Sequence, residues 1–103
     1  MKDIIELYRL AQNLEQAKNQ GNYTLALEIY NRIIKKKLQL SNRFGIAKSI
    51  AEKANLLELM GFHQKALEEY LQAFSFVEDS NNREFSAIID QKITELNQML
   101  QSK

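Results

Sequence analysis

The chain has 103 residues with 45% hydrophobic and 26% charged side chains, which suits one soluble helical or mixed domain. The absence of cysteine excludes a disulfide framework and a thiolate metal site, and the absence of proline leaves long helices unbroken except at glycine and turn residues. A net charge of +1 gives no overall electrostatic case for nucleic acid.

Met1-Lys2-Asp3-Ile4-Ile5-Glu6 interrupts its apolar residues with charge at once, unlike a signal peptide. No apolar run approaches the ~20 residues of a membrane span. A cytoplasmic protein with no membrane association is the expectation.

Almost all of the chain reads at helical period. A first helix is expected over about residues 2–19, with Ile4, Leu7, Tyr8, Ala11 and Leu14 recurring three or four apart. Gly21-Asn22 punctuates it. A second follows over about 22–37, turning Leu25, Ala26, Ile29, Tyr30, Ile33 and Ile34 inward, and Ser41-Asn42 supplies the next cap. A third spans about 43–60 through Ile46, Ala47, Ile50, Ala54, Leu57 and Met60, closed by Gly61.

The fourth is expected over about 62–78, burying Ala66, Leu67, Tyr70, Leu71, Ala73, Phe74 and Val77. Asp79-Ser80-Asn81-Asn82 makes the following turn. A fifth helix, about 83–101, carries Phe85, Ile88, Ile89, Ile93, Leu96, Met99 and Leu100 on one face, which suits a terminal cap. No segment alternates as a strand would.

The chain also repeats itself. Gly21-Asn22-Tyr23-Thr24-Leu25-Ala26-Leu27-Glu28-Ile29-Tyr30 aligns with Gly61-Phe62-His63-Gln64-Lys65-Ala66-Leu67-Glu68-Glu69-Tyr70, 40 residues later. Asn42-Arg43 and Asn82-Arg83, and Ala47 and Ala87, keep the same offset. A fixed period in this range signals stacked helix pairs. Glycine permits the tight turn, alanine the close approach of two helices, and tyrosine fills the space beside it.

Gly21, Tyr23, Ala26, Tyr30 and Gly61, His63, Ala66, Tyr70 resemble the tetratricopeptide repeat family over about residues 20–100. That family usually repeats every ~34 residues. The 40-residue spacing is similar to the extended repeats of leucine-glycine-asparagine-type scaffold proteins. Asn42-Arg43-Phe44-Gly45-Ile46-Ala47 stands near their Asp-Arg-x-Gly-x-Ala opening, and Asn55 where they often carry a groove asparagine. Lys53-Ala54 departs from the Leu-Gly pair usual before that asparagine, and Leu14-Glu15 replaces the expected Gly-Asn of the first repeat. HEAT-type repeats share the period but not the Gly-x-x-x-x-Ala-x-x-x-Tyr spacing.

The resemblance implies an all-α solenoid in one domain: a repeat over about 2–38, a second over about 42–79, and a capping helix over about 83–101. It further implies a concave groove that takes a peptide or helix of another protein. Transferred residue by residue, that groove holds Tyr8, Ala11, Glu15 and Lys18, then Lys48, Ala51, Asn55 and Glu58, then Gln91 and Glu95. Ala51 occupies the place where chaperone-binding members carry a cation, so a chaperone carboxylate is not the expected ligand.

On the first helix, Ile4, Ile5, Leu7, Tyr8, Leu10, Ala11 and Leu14 spread over more than half the circumference. Ile5 and Leu10 fall towards opposite edges, which points to a second surface, through which copies could dimerise or stack head to tail.

Residues 1–40 carry seven cations against four carboxylates, and residues 41–103 seven against nine. Arg32, Lys35, Lys36 and Lys37 account for much of the basic excess and complement a helix C-terminus. No aromatic stacking surface accompanies them, so nucleic acid is not expected.

Nothing in the sequence assembles a catalytic site. His63 stands alone at a helix-packing position, the glycines mark turns rather than a phosphate cradle, and Glu68-Glu69 diverge by ~100° on a helix. The expectation is a non-enzymatic binding module with no metal, cofactor or small-molecule substrate. A self-assembling structural protein is the alternative.

Overall fold

The computed structural model describes residues 2–78 and 81–102. Within them the chain forms five α-helices and no strand: α1 (Lys2–Asn19), α2 (Tyr23–Gln39), α3 (Arg43–Leu59), α4 (His63–Ser75) and α5 (Arg83–Gln101). Each helix packs against the next in the chain. The result is a slab of 46 × 35 × 18 Å, thin enough for two helix layers at their usual ~8–10 Å spacing.

The short turns share one construction. After α1, the Gly21 N–H donates to the Lys18 carbonyl (3.0 Å) and the Asn22 N–H to that of Ala17 (2.9 Å). After α3, Gly61 and Phe62 donate to Glu58 and Leu57 in the same way, both at 2.9 Å. These paired bonds satisfy carbonyls that the helix end leaves open, and they need a left-handed residue between helix and cap. Gly21 (φ 71°) and Gly61 (φ 86°) supply it without steric cost.

The turn between α2 and α3 has the same bonds, Ser41 to Leu38 and Asn42 to Lys37, but at 3.2 and 3.3 Å. Its left-handed residue is Ser41 (φ 56°), whose Cβ crowds the backbone there. The turn therefore recurs every 20 residues, at 21, 41 and 61, half the interval visible in the sequence. Serine at the middle one hides it. Ser41→Gly should raise stability by about 0.5–1 kcal/mol, a few degrees in Tm, and Gly61→Ala should lower it by about 1 kcal/mol. Thermal unfolding followed by circular dichroism reads both.

The residue after each left-handed position begins the next helix. Asn22 and Asn42 accept from the N–H groups of Leu25 (3.2 Å) and Gly45 (3.0 Å), and Asn82 does the same for Phe85 (3.3 Å). Phe62, the fourth in the series, has no capping side chain. Gly45 is small for a local reason: a Cβ there would lie 2.5 Å from the Asn42 amide nitrogen that sits over it.

The main core lies between α3, α4 and α5, around Ile46, Ile50, Leu57, Leu67, Tyr70, Ile89, Ile93 and Leu96. Ala54, Ala66 and Ala73 in this core are fully buried, which lets the helices approach closely. A smaller cluster joins α1 to α2: Ala17, Ala26, Ile29, Tyr30, Ile33 and Leu56, with Leu7, Leu10 and Leu14 partly covered beside it. Ala17 is the one fully buried residue of α1 within the described residues. Helix α3 is buried on most of its circumference because α2, α4 and α5 surround it.

Ion pairs tie the helices laterally. Lys36 of α2 reaches both Asp3 and Glu6 of α1 at 2.8 Å, and Lys53 of α3 meets Glu69 of α4 at 3.0 Å. The hydrogen bond and charge of Lys36 hold the Asp3 carboxyl below its ordinary value of 3.8. A carboxyl lowered by folding adds stability above its unfolded value, and that contribution disappears as pH falls through the folded one. Lys36→Gln should therefore loosen amide protection of the first two turns of α1 at neutral pH. Well below the ordinary aspartate range the variant and the parent should become alike. Hydrogen exchange measured at both pH values checks this.

Three expectations change. The fourth helix was expected to reach 78 but leaves α geometry after Ser75. The Phe76 and Val77 N–H groups turn to the carbonyls three residues back, which tightens the end and buries Val77. Leu25 and Leu71, expected inside, are exposed at the edges of their helices' buried stripes. In α5, Ile88 and Met99 are exposed and Ile89, Ile93 and Leu96 buried. Adjacent residues diverge by ~100°, so Ile88 and Ile89 cannot both face α4. The expected end of the second repeat at 79, and the Asp79-Ser80 half of the last polar turn, lie outside the described residues.

Candidate functional site

A groove with a cavity of about 410 Å³ opens where α1, α3 and α5 come together over α2 and α4. From α1 it takes Lys18; from α3, Lys48, Ala51, Glu52, Asn55 and Leu59; from α5, Phe85, Ile88 and Lys92. Tyr30 and Tyr70 wall it from beneath. Positions 48, 52, 55 and 59 form one stripe, because three- and four-residue steps return to the same face of a helix. On α1, Ile4, Ala11 and Lys18 share a stripe by the same spacing.

The floor is rigid. Tyr70 is buried, and its hydroxyl donates to Glu58 Oε2 at 2.7 Å; Lys92 approaches the same oxygen at 3.6 Å. One carboxylate thus links α3, α4 and α5. Burial first, then the hydrogen bond and charge of Glu58, push the Tyr70 phenol upward. Burial, helped by Glu52 and Glu15, pushes the Tyr30 phenol up to about 12. Both phenols stay neutral across the physiological range. At one end of the groove Phe44 meets Phe85 edge to face at 5.2 Å, joining the starts of α3 and α5.

The surface above this floor is open. Leu59 is 71% exposed and Ile88 59%. Asn55 is exposed, and its amide has no protein partner among the described residues. Lys48 is exposed and likewise has no ion pair among them.

The expected groove residues divide. Lys18, Lys48, Ala51 and Asn55 line one cavity. Glu58 sits beneath it as the anchor of Tyr70 and Lys92. Tyr8 is exposed on the flank of α1. Glu15 leans on Lys18 at 3.8 Å, and Gln91 donates to Glu95 at 3.1 Å on the open surface of α5; neither pair adds a wall to the cavity beyond Lys18. The α5 residues that do line it are Phe85, Ile88, Ile89 and Lys92. Leu59 and Ile88 carried a readable signal: each continues a helical stripe shared with a polar groove residue.

The two residues expected to mediate self-association also divide. Ile5 is 55% exposed, beside exposed Ile4 and Tyr8. Leu10 is partly covered by the α1–α2 cluster and helps wall a second cleft with Glu6, Arg9, Arg32, Lys35, Lys36 and Gln39. The basic run at the end of α2 splits around the helix. Lys37 turns instead into the α2–α3 interface, where it donates to Ser49 Oγ at 2.8 Å and the Gly45 carbonyl at 3.4 Å. Burial there lowers its pKa.

His63 begins α4, and its Nδ1 is buried without a hydrogen-bond partner among the described residues. Among the described residues no group of three or more His, Asp or Glu side chains is placed to hold a metal ion. No described helix is long and apolar enough to cross a membrane. Comparisons with protein-family models, with curated proteins and with solved structures gave no match.

Proposed function

We propose that this chain is a tetratricopeptide-like α-solenoid, two helix pairs and a closing helix, that acts as a non-enzymatic adaptor. Its groove between α1, α3 and α5 holds a peptide or helix of another protein. The observation that carries this reading is the convergence of Lys18, Lys48 and Asn55 on one cavity beside exposed Leu59 and Ile88. Those polar residues stand at the groove positions of the repeat pattern. An unpaired amide offers a donor and an acceptor to a partner's backbone, and exposed aliphatic side chains offer area to bury.

A second reading, self-assembly through α1, is favoured by Ile4, Ile5 and Tyr8, all more than half exposed on one short helix segment. The experiment compares wild type with Lys48→Glu/Asn55→Ala and with Ile5→Glu, by affinity capture and light scattering. Loss of a captured protein from the groove variant, with oligomeric state unchanged, supports the adaptor. Capture unchanged in the groove variant, with an oligomer that Ile5→Glu dissociates, supports assembly. A monomer at high concentration, unaltered by Ile5→Glu, removes the second reading.

A further inference from the structure

The second cleft, of about 370 Å³ between α1 and α2, carries charge that its surroundings do not balance. Four cations line it, Arg9 from α1 and Arg32, Lys35 and Lys36 from α2. Two carboxylates stand beside them, Asp3 and Glu6, and both are committed to Lys36 at 2.8 Å. Arg9, Arg32 and Lys35 pair with no carboxylate among the described residues. One turn further along the two helices, Lys2 and Glu28 cancel each other. An excess of two positive charges therefore stays on the cleft. In the groove between α1, α3 and α5, by contrast, Glu15, Glu52 and Glu58 match Lys18, Lys48 and Lys92.

The dipole of α2 accounts for Lys36 and Lys37 in its last turn, but not for this excess. Arg32 lies about two turns before the end of α2, and Arg9 is on another helix. Arginine and lysine side chains only donate hydrogen bonds, so a fitting ligand is rich in acceptor oxygens and carries more than one negative charge. A guanidinium holds a phosphoryl group through two parallel hydrogen bonds. The cleft's volume lies in the range of small-molecule sites, roughly 300–1,000 Å³.

We propose that this cleft binds a small polyvalent phosphoryl compound, gripped by Arg9 and Arg32 from the two helices, with Lys35 supplying the third charge. A nucleic acid or an anionic membrane needs a basic track or plane that continues beyond the cleft. Here Lys18 is drawn to Glu15, Lys37 turns inward to Ser49, and residues 41–103 carry two more carboxylates than cations.

Isothermal titration of the whole chain with tripolyphosphate, at fixed ionic strength, tests this. Binding should saturate at one ligand per chain and be tighter than that of sulfate. Arg9→Gln and Arg32→Gln should each weaken it roughly tenfold, the effect of losing a hydrogen bond between charged groups. Lys48→Gln removes an equal charge from the other groove and should leave binding unchanged. All three positions are exposed, and circular dichroism confirms the helices in each variant. Because the ligand bridges α1 and α2, the α1 amides should exchange more slowly at saturation.

Affinity no greater than that of sulfate, or an equal loss in Lys48→Gln and Arg9→Gln, leaves only diffuse attraction and overturns the proposal. Unchanged exchange in α1 overturns the bridging by Arg9 and Arg32. A phosphatidylserine vesicle, a phosphoserine peptide or a short oligothymidine that displaces tripolyphosphate at lower phosphate concentration makes the partner a membrane, a protein or a nucleic acid, and overturns it as well.

Discussion

Tyr70→Ala should destabilise the protein by about 3–5 kcal/mol, the range for deleting a buried aromatic side chain. A chain of this size has roughly 5–15 kcal/mol in hand, so the loss takes a large share of it. Tyr70 is 3% exposed and stands where α3, α4 and α5 meet. Deleting its ring opens a cavity in the core that Tyr70 shares with Ala66, Ala73 and Ile89. It also strips Glu58 of its 2.7 Å hydrogen bond and leaves that carboxylate to Lys92 at 3.6 Å. Tyr70→Phe separates the two effects, because it keeps the ring and removes the hydroxyl. Its cost should be about 1–2 kcal/mol, that of one hydrogen bond to a charged group. Urea titrations of wild type and both variants measure this. A Tyr70→Phe loss equal to that of Tyr70→Ala would show that the hydroxyl, not the ring, holds the three helices together.

Ile89→Ala should cost about 2–5 kcal/mol. Ile89 is 1% exposed and inserts from α5 into the core shared with α3 and α4. The matched change at the other end of the chain, Leu10→Ala, should cost less, about 1 kcal/mol, because Leu10 is already partly in water. The comparison tests whether α5 is an integral part of the fold while α1 is held more loosely. Hydrogen exchange gives an independent reading. Protection in α5 should approach the global stability, while the first turns of α1 open locally.

The same contrast bears on the groove. Its walls at α3 and α5 stand on the large core, and its α1 wall stands on the small cluster and on Lys36. A partner that engages Lys18 would gain a stabilised α1, and one that engages Lys48, Leu59 and Ile88 would find its surface already in place. Affinity for a preformed surface carries less ordering cost.

Much of the fold was legible in the residues. Apolar spacing at three and four located all five helices, and Gly21, Gly61 and the capping asparagines marked their ends. Three side-chain caps out of four helix starts after the first are asparagine, and each does the job its residue type suggests. The 20-residue recurrence of the turn was not legible, because Ser41 takes a conformation that a serine seldom announces. The early end of α4 was hidden for a similar reason. The choice between continuing the helix and tightening it was decided by where Val77 could be buried.

The sequence by itself determined which segments are helical and where the chain turns. These are local properties, set by spacing, glycine and caps within a few residues. The tertiary structure alone decided which of two adjacent apolar residues is buried. Ile89 is buried in the core shared with α3 and α4, and Ile88 is exposed in the groove. It alone turned Lys37 inward and Glu58 into a link between three helices. Helical periodicity defines a stripe but not what stands opposite its edges, and those edges are where this groove acquires its apolar centre.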